Sequence, residues 1–431
     1  MRMIHDPAAF YDEATGNYYI YSTGAIGQVS KDLVHFTPLG QVVLCVPPEA
    51  KEWTKSDDIW APDIVKVGDE YRLYCSNSSW GVQRSCIFLA VSHKAEGPFE
   101  PIGIVLKTDD CLPVNAIDAN IITDVNTGEM YMLYGSFWGG AHVLPLDPKT
   151  GLAKSEAPAN WTLDEKTNTL SHPVEDIIGT CVARRPSWMS GALEGPYMIY
   201  HPKYQYYYLY VSYGSLKSDY QIRVGRSKSI TGPFVDWAGR ELTDLSDGRN
   251  QYGNLIMAGY QWNDGVPYMA PGHNSVLRDA NGDYYVVAHI RKKDYSSEMM
   301  EPSQMQLRKL FFSEDGWPYT APQPYRGELQ TPISEADLLG FYERVDLVST
   351  LPQGISTATP MRLGEDGYYE HCSIQGSWSS LDKQRMTITY GPHREEVRFL
   401  RIYDTEREVE TIGLCGISED GICFWAKKVS K

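Results

Sequence analysis

The sequence lacks the features that mark several common protein classes. Its eight cysteines form no C-x-x-C pair, which excludes zinc ribbons and thioredoxin-like redox motifs. No stretch of about 18 apolar residues is present, so the sequence holds no candidate membrane-spanning helix. Lysine and arginine form no cluster and are outnumbered 39 to 55 by acidic residues, for a net charge of −16. Nucleic acid and anionic membranes are therefore not expected as partners.

A recognisable signal peptide is also missing from the sequence. Several cysteines stand within apolar, strand-like runs, among them Cys75, Cys86 and Cys423, where buried free thiols are expected rather than disulfides. Free thiols favour a reducing compartment, so we predict a cytoplasmic protein. Because the first motif already begins at His5, the alternative is a secreted protein whose leader is absent from this chain.

Aromatic residues, by contrast, are abundant, with 30 tyrosines and 11 tryptophans among 431 residues. Both residue types favour β-strands, and each offers a flat apolar face with a polar group at its edge. This composition suits a protein built from sheets and a ligand that is a sugar. The length is sufficient for two or three domains.

Five segments of the chain share one pattern. In each segment a polar or charged residue precedes a hydrophobic strand, a turn follows, and an aromatic strand comes next. In the fourth segment, Glu194 stands before Gly195-Pro196, and proline belongs at the first residue of a strand because it cannot donate to a ladder. The leading residues are spaced by 57, 55, 76 and 79 positions, and they are Asp6, Asp63, Asp118, Glu194 and His273.

This pattern predicts an all-β protein, because it combines strands and turn signals without a long amphipathic helix. Repeats of several strands are typical of propeller blades, so five repeats predict a five-bladed β-propeller. The innermost strands of the blades line a central channel, and the leading residues are expected to meet at one end of it. Acids gathered in one funnel raise one another's pKa, which favours a chemical role for Asp6, Asp118 and Glu194. For Asp63 we favour a structural role as the cap of its own turn.

Six short motifs resemble glycoside hydrolase family 43, the arabinanase and xylosidase family of five-bladed propellers. They occur in the family's order over residues 1 to about 325, and they are His5-Asp6-Pro7, Trp60-Ala61-Pro62-Asp63, Asn115-Ala116-Ile117-Asp118, Gly135-Ser136-Phe137-Trp138, Glu194-Gly195-Pro196-Tyr197 and Gly272-His273-Asn274. The resemblance implies that Asp6 is the general base, Glu194 the general acid and Asp118 a third carboxylate that tunes the acid. Inverting glycoside hydrolysis needs one carboxylate to activate water and one carboxylic acid to protonate the leaving oxygen.

The resemblance also implies a sugar-binding surface at the funnel. Trp80 lies in a polar loop and Trp138 precedes two glycines, which are poor positions for core tryptophans. Gly81 would let the backbone approach a sugar closely, and Arg308 matches an arginine near the family's site, with a surface salt bridge as the alternative. The predicted substrate-binding residues are Trp60, Trp80, Gly81, Asn115, Ala116, Ile117, Ser136, Phe137, Trp138 and Arg308.

His273 is the fifth leading residue. Resemblance to the arabinanase branch implies that it contacts a metal, usually calcium, on the axis beneath the site. Calcium prefers six to eight oxygen ligands, so waters must complete the shell around one imidazole. The cofactor prediction is therefore calcium, held through His273 and waters, and the alternative is a hydrogen-bonded structural histidine.

The propeller pattern ends shortly after Trp317, and a proline-rich segment follows it. We predict a catalytic propeller over residues 1–325 and a second domain over residues 326–431. Short strands in the second domain predict a small β-barrel or sandwich, which resembles the small C-terminal domain attached to some arabinanases. It shows no catalytic constellation.

The function implied by the resemblance is inverting hydrolysis of α-1,5-L-arabinofuranosidic bonds in arabinan or arabino-oligosaccharides. Within enzymes, the alternative is an exo-acting α-L-arabinofuranosidase or β-xylosidase, but the motifs around Asp6 and Phe137 favour arabinan over xylose. A different class, a propeller that binds glycans without turnover, also remains open at this stage. Three carboxylates in one funnel argue against it, because a pure binding site has little reason to bear their repulsion.

Overall fold

Antiparallel sheets recur five times in the N-terminal three quarters of the chain. The computed structural model describes residues 3–246, 248, 251–293, 302–348 and 354–430. The first two sheets have four strands each and are connected through helix α1 (Pro48–Thr54). Their strands are β1 (Ala8–Asp12), β2 (Asn17–Ser22), β3 (Ile26–Ser30), β4 (Phe36–Gln41), β5 (Pro62–Val67), β6 (Glu70–Asn77), β7 (Ser85–Ser92) and β8 (Glu100–Thr108).

The third sheet contains an insertion before its outermost strand. Its first three strands are β9 (Asn120–Thr123), β10 (Met130–Tyr134) and β11 (Ala141–Leu146). The insertion comprises α2 (Ala157–Asn160), the hairpin β12 (Leu163–Asp164) and β13 (Thr169–Leu170), and α3 (Val174–Ile178), after which β14 (Thr180–Ala183) pairs with β11.

The fourth and fifth sheets complete the propeller. A short 3₁₀ helix (Ser187–Met189) precedes the fourth sheet. The strands are β15 (Leu193–His201), β16 (Tyr206–Tyr213), β17 (Gln221–Ser227), β18 (Asn254–Met257), β19 (Tyr260–Gln261), β20 (Tyr268–Arg278), β21 (Tyr284–Lys292), β22 (Gln304–Phe312) and β23 (Pro318–Thr320). The innermost strands contact one another in the cyclic order β1, β5, β9, β15, β20 and back to β1. The predicted five-bladed propeller is therefore confirmed.

Tyrosines in the second strand of each blade explain the aromatic runs of the sequence. These strands are buried on both faces, since each blade packs between two others, and so they read as continuous apolar runs rather than as alternating ones. Two of the tyrosine hydroxyls reach carbonyls in neighbouring loops: Tyr74 donates to Gly151 O over 2.8 Å and Tyr208 to Gly316 O over 2.5 Å. These two rings thus fill the gap between blades while their polar groups stay paired.

The C-terminal domain is a closed barrel, which decides between the two predicted alternatives. Helix α4 (Glu335–Leu338) leads into it, and a 3₁₀ helix (Glu365–Gly367) lies between two of its strands. Eight strands close the barrel through pairing of the first with the last, and they are β24 (Gly340–Leu347), β26 (Thr359–Leu363), β27 (Tyr368–His371), β28 (Ile374–Ser380), β29 (Arg385–Tyr390), β30 (His393–Asp404), β31 (Val409–Ser418) and β32 (Cys423–Ser430). The short strand β25 (Ser356–Thr357) instead pairs in parallel with β19 of the fifth blade.

The barrel packs against the propeller through a shared apolar core. Trp425 of β32 lies in this core, and its indole N–H donates to Thr320 Oγ1 over 3.1 Å. The last propeller strand ends at Thr320 and the first barrel strand begins at Gly340, so the predicted boundary after residue 325 falls in the segment between them.

Two further expectations concern cysteines and membranes. All eight cysteines are free thiols, as predicted, although Cys45 and Cys372 are exposed rather than buried. Among the described residues, no helix combines the length and apolarity needed to cross a bilayer.

Candidate active site

Three acidic residues from three blades meet at one end of the channel. Asp6 and Asp118 stand just before β1 and β9, and Glu194 is the second residue of β15. Asp6 and Asp118 are buried, with 8 % and 5 % of their surface exposed. Their charges interact, because Glu194 and Asp6 both raise the pKa of Asp118. The structure thus brings together the three carboxylates that the repeat pattern singled out.

Backbone anchors explain how the leading residues are held. The N–H of Asp118 donates to Ser76 Oγ over 2.9 Å, and the N–H of His273 donates to Ser212 Oγ over 2.8 Å. The N–H of Asp6 donates to His289 Nδ1 over 3.3 Å. Every acceptor lies in the second strand of the preceding blade, so each blade fixes the leading residue of the next.

The backbone at this end of the channel is held in a strained conformation. Positive φ angles occur at residues other than glycine, namely at Asp6 (54°), Asp118 (63°), Phe137 (55°), Trp138 (38°) and His273 (45°). Such conformations cost energy and cluster where surrounding structure imposes them, commonly at functional sites.

Asp6 is the carboxylate held in its ionised form. Thr23 Oγ1 donates to Asp6 Oδ2 over 2.5 Å, and His273 Nδ1 lies 3.1 Å from Asp6 Oδ1. Burial opposes ionisation, but the imidazoles of His273, His5 and His289 beside the carboxylate outweigh it. The pKa of Asp6 therefore lies well below its usual value.

Glu194 and Asp118 form a coupled pair that retains a proton. Burial raises the pKa of Glu194 to about 7, with a further rise from the charge of Asp6. Hydrogen bonds from Ser136 Oγ, over 2.8 Å, and from the Tyr220 hydroxyl act in the opposite direction. Burial and repulsion by Glu194 also raise the pKa of Asp118, so repulsion within the pair favours a shared proton over two anions. The sequence predicted Asp118 as the group that tunes the acid, but burial is the largest cause of the raised pKa of Glu194.

A cavity of about 290 Å³ leads to Glu194. Trp80 and Trp138 stand at its walls with 69 % and 41 % of their surface exposed, which suits flat platforms for sugar rings. A larger hollow of about 800 Å³ surrounds Trp53 on the outer side of the second and third blades, but none of the three carboxylates lines it. The residues lining the smaller cavity are Trp60, Ser79, Trp80, Gly81, Val82, Asn115, Ile117, Ser136, Phe137, Trp138, Glu194, Ser215, Leu216 and Lys217.

Comparison with known proteins agrees with this geometry. The family model described as glycosyl hydrolases family 43 matches residues 2–318, which carry the whole carboxylate site. The chain belongs to glycosyl hydrolases family 43. A second model, described as a C-terminal lipocalin-like domain of that family, matches residues 322–426.

Relatives with this architecture include named arabinanases. The chain is similar to the extracellular endo-α-(1→5)-L-arabinanase 2 of Bacillus subtilis, with 28 % identity over 99 % of this chain and 92 % of the relative. The crystal structure of endo-1,5-α-L-arabinanase from Thermotoga petrophila superposes with a TM-score of 0.85, at 25 % identity, over 100 % of this chain and 99 % of that one. The structure of Cellvibrio cellulosa α-L-arabinanase complexed with arabinohexaose matches with a TM-score of 0.58, at 25 % identity, over 74 % of this chain and 95 % of that one.

Two residues predicted for substrate binding in this family 43 protein lie elsewhere. Ala116 is fully buried in the core between the second and third blades, whereas its neighbours Asn115 and Ile117 line the cavity. Arg308 is also fully buried, and its guanidinium donates to Ala321 O and Pro322 O over 3.0 and 2.9 Å. It lies 4.4 Å from the ring of Trp425 in the barrel, so it joins the two domains and does not contact the funnel.

Asp63 is structural, as predicted, but its main contacts differ from the prediction. Its carboxylate accepts hydrogen bonds from the N–H of Ile121 over 2.7 Å and from Asn120 Nδ2 over 3.2 Å. Asp63 therefore fastens the second blade to the third rather than capping only its own turn. Burial raises its pKa to about 7.

Several side chains at the site escaped prediction from the sequence. Thr23, Tyr220 and His289 contact the carboxylates, yet no repeated motif marks them. His289 lies within β21, the second strand of its blade, and it accepts from the leading residue of the next blade as Ser76 and Ser212 do. Alignment of these second strands would have indicated His289, whereas Tyr220 has no comparable signal.

Proposed function

We propose that this family 43 protein hydrolyses α-1,5-L-arabinofuranosidic bonds in arabinan or arabino-oligosaccharides, with inversion at the anomeric carbon. The observation that carries the proposal is the opposite tuning of two carboxylates in one funnel: the pKa of Asp6 is lowered and that of Glu194 is raised. Divergent pKa values of this kind separate a base from an acid. The names of the relatives similar along their whole length supply the sugar and the linkage.

In this mechanism Asp6 is the general base. Its ionised carboxylate accepts a proton from a water molecule, and the water oxygen attacks the anomeric carbon from the face opposite the leaving group. Thr23 holds one carboxylate oxygen in place through its hydroxyl. The low pKa of Asp6 keeps it ionised across the neutral range, so it is always ready to accept that proton.

Glu194 acts as the general acid in the same step. It donates its proton to the glycosidic oxygen as the bond from that oxygen to the anomeric carbon breaks, and the leaving sugar departs as an alcohol. Glu194 ends the step ionised, and Asp6 ends it protonated, so one proton exchange with solvent restores both. Asp118 keeps the proton available on the pair, and its Oδ2 accepts from Gly195 N over 3.1 Å.

Aromatic walls bind the sugars on either side of the scissile bond. Trp80 and Phe137-Trp138 line the cavity, and the sugar faces stack on such rings while the backbone at Gly81 comes close. With a volume of about 290 Å³, the cavity stands at the small end of ligand sites. It therefore encloses a short stretch of a chain, and the rest extends over the rim.

Calcium is proposed at the same end of the channel, held through His273 and water molecules. Support comes from polar atoms without a partner among the described residues: both amide atoms of Asn274, which is buried beside His273 in the chain, and His289 Nε2. His273 would contribute one nitrogen, Asn274 can contribute an oxygen, and waters would complete the oxygen-rich shell that calcium requires. A bound cation would supply positive charge near Asp6, which favours the ionised base.

His5, Asp6 and His289 also offer ligand atoms within 4.8 Å of one another, and imidazole-rich sets of ligands suit zinc.

Elemental analysis and thermal melting test the metal without recourse to activity. We expect calcium in the purified protein, a melting temperature lowered by a chelator, and recovery on addition of calcium. The His273→Ala variant should lose the response to calcium. Zinc in place of calcium, or no metal together with no effect of the chelator, would contradict the proposal.

Product analysis tests the proposed reaction. Linear arabinan should release arabino-oligosaccharides, and NMR during the first turnovers should show the β-anomer at the new reducing end, since inversion converts an α-linkage into a β-hemiacetal. Aryl β-xylosides should be poor substrates. Release of xylose in preference to arabinose, or ligand-induced thermal stabilisation without any hydrolysis, would overturn the assignment in favour of a xylosidase or a binding propeller respectively.

A further inference from the structure

A contact crosses the mouth of the funnel between two blades that are not neighbours. The ammonium group of Lys217 lies 5.4 Å from the ring centroid of Trp80. Trp80 stands in the loop between β6 and β7 of the second blade, and Lys217 stands in the loop between β16 and β17 of the fourth. The third blade lies between the second and fourth blades in the ring. The contact between Trp80 and Lys217 therefore spans the opening of the funnel, and we call it the chord. Both residues line the cavity that leads to Glu194.

The loop that carries Lys217 is braced rather than free. Asp219 Oδ1 accepts hydrogen bonds from Ser215 N and from Ser218 Oγ, each over 2.9 Å. Arg291, from the fifth blade, donates to Leu216 O over 2.8 Å. The backbone of the loop is thus held at both sides of Lys217, and opening the contact requires only a rotation of the exposed lysine side chain.

The chord limits how a polysaccharide can reach the carboxylates. A chain that lies across the funnel has to pass the line between Trp80 and Lys217, whereas a short oligosaccharide or a chain end fits into the cavity beside it. The face of Trp80 that Lys217 covers is also withheld from a sugar ring while the contact is closed. Separation of the pair therefore exposes both a passage and a stacking platform.

We propose that Lys217 is a specificity-determining residue, whose contact with Trp80 closes the funnel to internal segments of a polysaccharide and leaves it open to short oligosaccharides and chain ends. This inference rests on the proposed function, because it describes how the same site selects its arabinan substrate. Cleavage within a long chain proceeds only in molecules in which the pair is open. The observed kcat/KM for this cleavage is therefore the value of the open form multiplied by the open fraction.

The size of the effect follows from the strength of the contact. An exposed cation–π contact shifts such an equilibrium by about two- to five-fold. Lys217→Ala should therefore raise the ratio of kcat/KM on linear arabinan to kcat/KM on arabinotriose by about two- to five-fold, because only the internal segment of a long chain has to pass the pair. Longer products should also appear earlier in the time course of the variant. Lys217→Arg retains a cation over the ring and should resemble the wild type.

Lys203 offers a matched control. It is an exposed lysine in the same blade, and its ammonium lies 4.7 Å from the ring of Tyr204, but it stands in the turn between β15 and β16 at the opposite end of the sheet. Lys203→Ala removes a similar charge and a similar contact without touching the funnel. It should leave the ratio of kcat/KM on linear arabinan to that on arabinotriose unchanged.

The experiment measures that ratio for the wild type, Lys217→Ala, Lys217→Arg and Lys203→Ala. A raised ratio in Lys217→Ala alone supports the inference. An unchanged ratio in Lys217→Ala, or an equal rise in Lys203→Ala, overturns the inference about Lys217. In either case, hydrolysis of arabinotriose by all four proteins still supports the proposed function. A wild-type protein that cleaves neither substrate would instead overturn the proposed function, and this inference with it.

Discussion

Asp118 Oδ2 accepts a hydrogen bond from the backbone N–H of Gly195 over 3.1 Å, and so fixes the third carboxylate against the residue that directly follows Glu194. The contact joins the third blade to the fourth at the point where their two acids are coupled. It holds Asp118 close enough to influence Glu194 electrostatically, and it leaves the second oxygen of Asp118 available to share the proton of the pair.

Removal of the Asp118 charge should lower the pKa of Glu194. Asp118→Asn keeps an oxygen that accepts from Gly195 but removes the like charge that disfavours the Glu194 anion. In the plot of kcat/KM against pH, the activity falls near pH 7 as Glu194 loses its proton. This descending limb should move to lower pH in the variant, because Glu194 then loses its proton at lower pH. A limb that stays in place or moves upward would show that Asp118 does not tune the acid.

Removal of the Ser136 hydroxyl should have the opposite effect. Ser136 Oγ donates to Glu194 Oε2 over 2.8 Å and so stabilises the ionised form. Ser136→Ala should raise the pKa of Glu194 and move the same descending limb to higher pH. Ser79→Ala is the control, since Ser79 lines the same cavity, whereas the serine that donates to Glu194 is Ser136. Shifts of equal size in both variants would contradict the role of Ser136.

Gly272 should tolerate no side chain. A Cβ at this position would lie 2.1 Å from the ring of Tyr220, which donates a hydrogen bond to Glu194. Gly272→Ala should therefore displace Tyr220, lower the rate and destabilise the fold by about 1–3 kcal/mol, the usual cost of overpacking. Urea denaturation and initial rates measure both effects.

Gly103 provides the comparison for that substitution. It lies in β8, and a Cβ added there meets no atom within 4 Å. Gly103→Ala should leave both the rate and the urea midpoint near the wild-type values. Equal behaviour of the two variants would show that the contact between Gly272 and Tyr220 does not matter.

Lys427 should stabilise the junction of the barrel and the propeller. Its buried ammonium lies 2.9 Å from Asp404 Oδ1 and 4.9 Å from the ring of Trp262 in the fifth blade. Lys427→Met leaves the buried carboxylate of Asp404 with Arg407, 2.6 Å away, as its remaining cation, so the cost should stay below the about 3–5 kcal/mol of a buried charge left without any partner. The urea midpoint should fall well below that of Lys383→Met, which alters an exposed lysine of the same domain. Equal midpoints would contradict this role of Lys427.

The repeat pattern predicted the fold and the positions of the carboxylates because a propeller places equivalent strand starts at one end of its axis. Asp6, Asp118 and Glu194 therefore followed from position alone. Burial of each side chain did not follow, since it depends on how neighbouring blades pack. For that reason, burial as the main cause of the raised pKa of Glu194 could not be predicted before the packing was known.

Errors in the predicted site also have physical causes. Ala116 shares a motif with two cavity residues, but the chain turns there, where Ile117 N–H donates to Asn115 O, and the side chain of Ala116 lies in the core. Arg308 matches a family arginine near the site, which suggested a functional contact, yet it is fully buried and contacts backbone carbonyls and an aromatic ring of the barrel. Only the arrangement of the two domains reveals that partner.

Leaving-group dependence tests the division of labour between Asp6 and Glu194 most directly. Asp6→Asn should lose about 10²–10⁴-fold in rate on every substrate, because water activation is missing whatever the leaving group. Glu194→Gln should lose activity on arabino-oligosaccharides but recover much of it on aryl arabinosides with acidic phenols, whose departure requires no proton. The measurement is the ratio of kcat/KM on the activated substrate to that on arabinotriose, and the account predicts a large rise of this ratio in Glu194→Gln and none in Asp6→Asn. An equal loss on both substrates in Glu194→Gln would contradict its assignment as the acid.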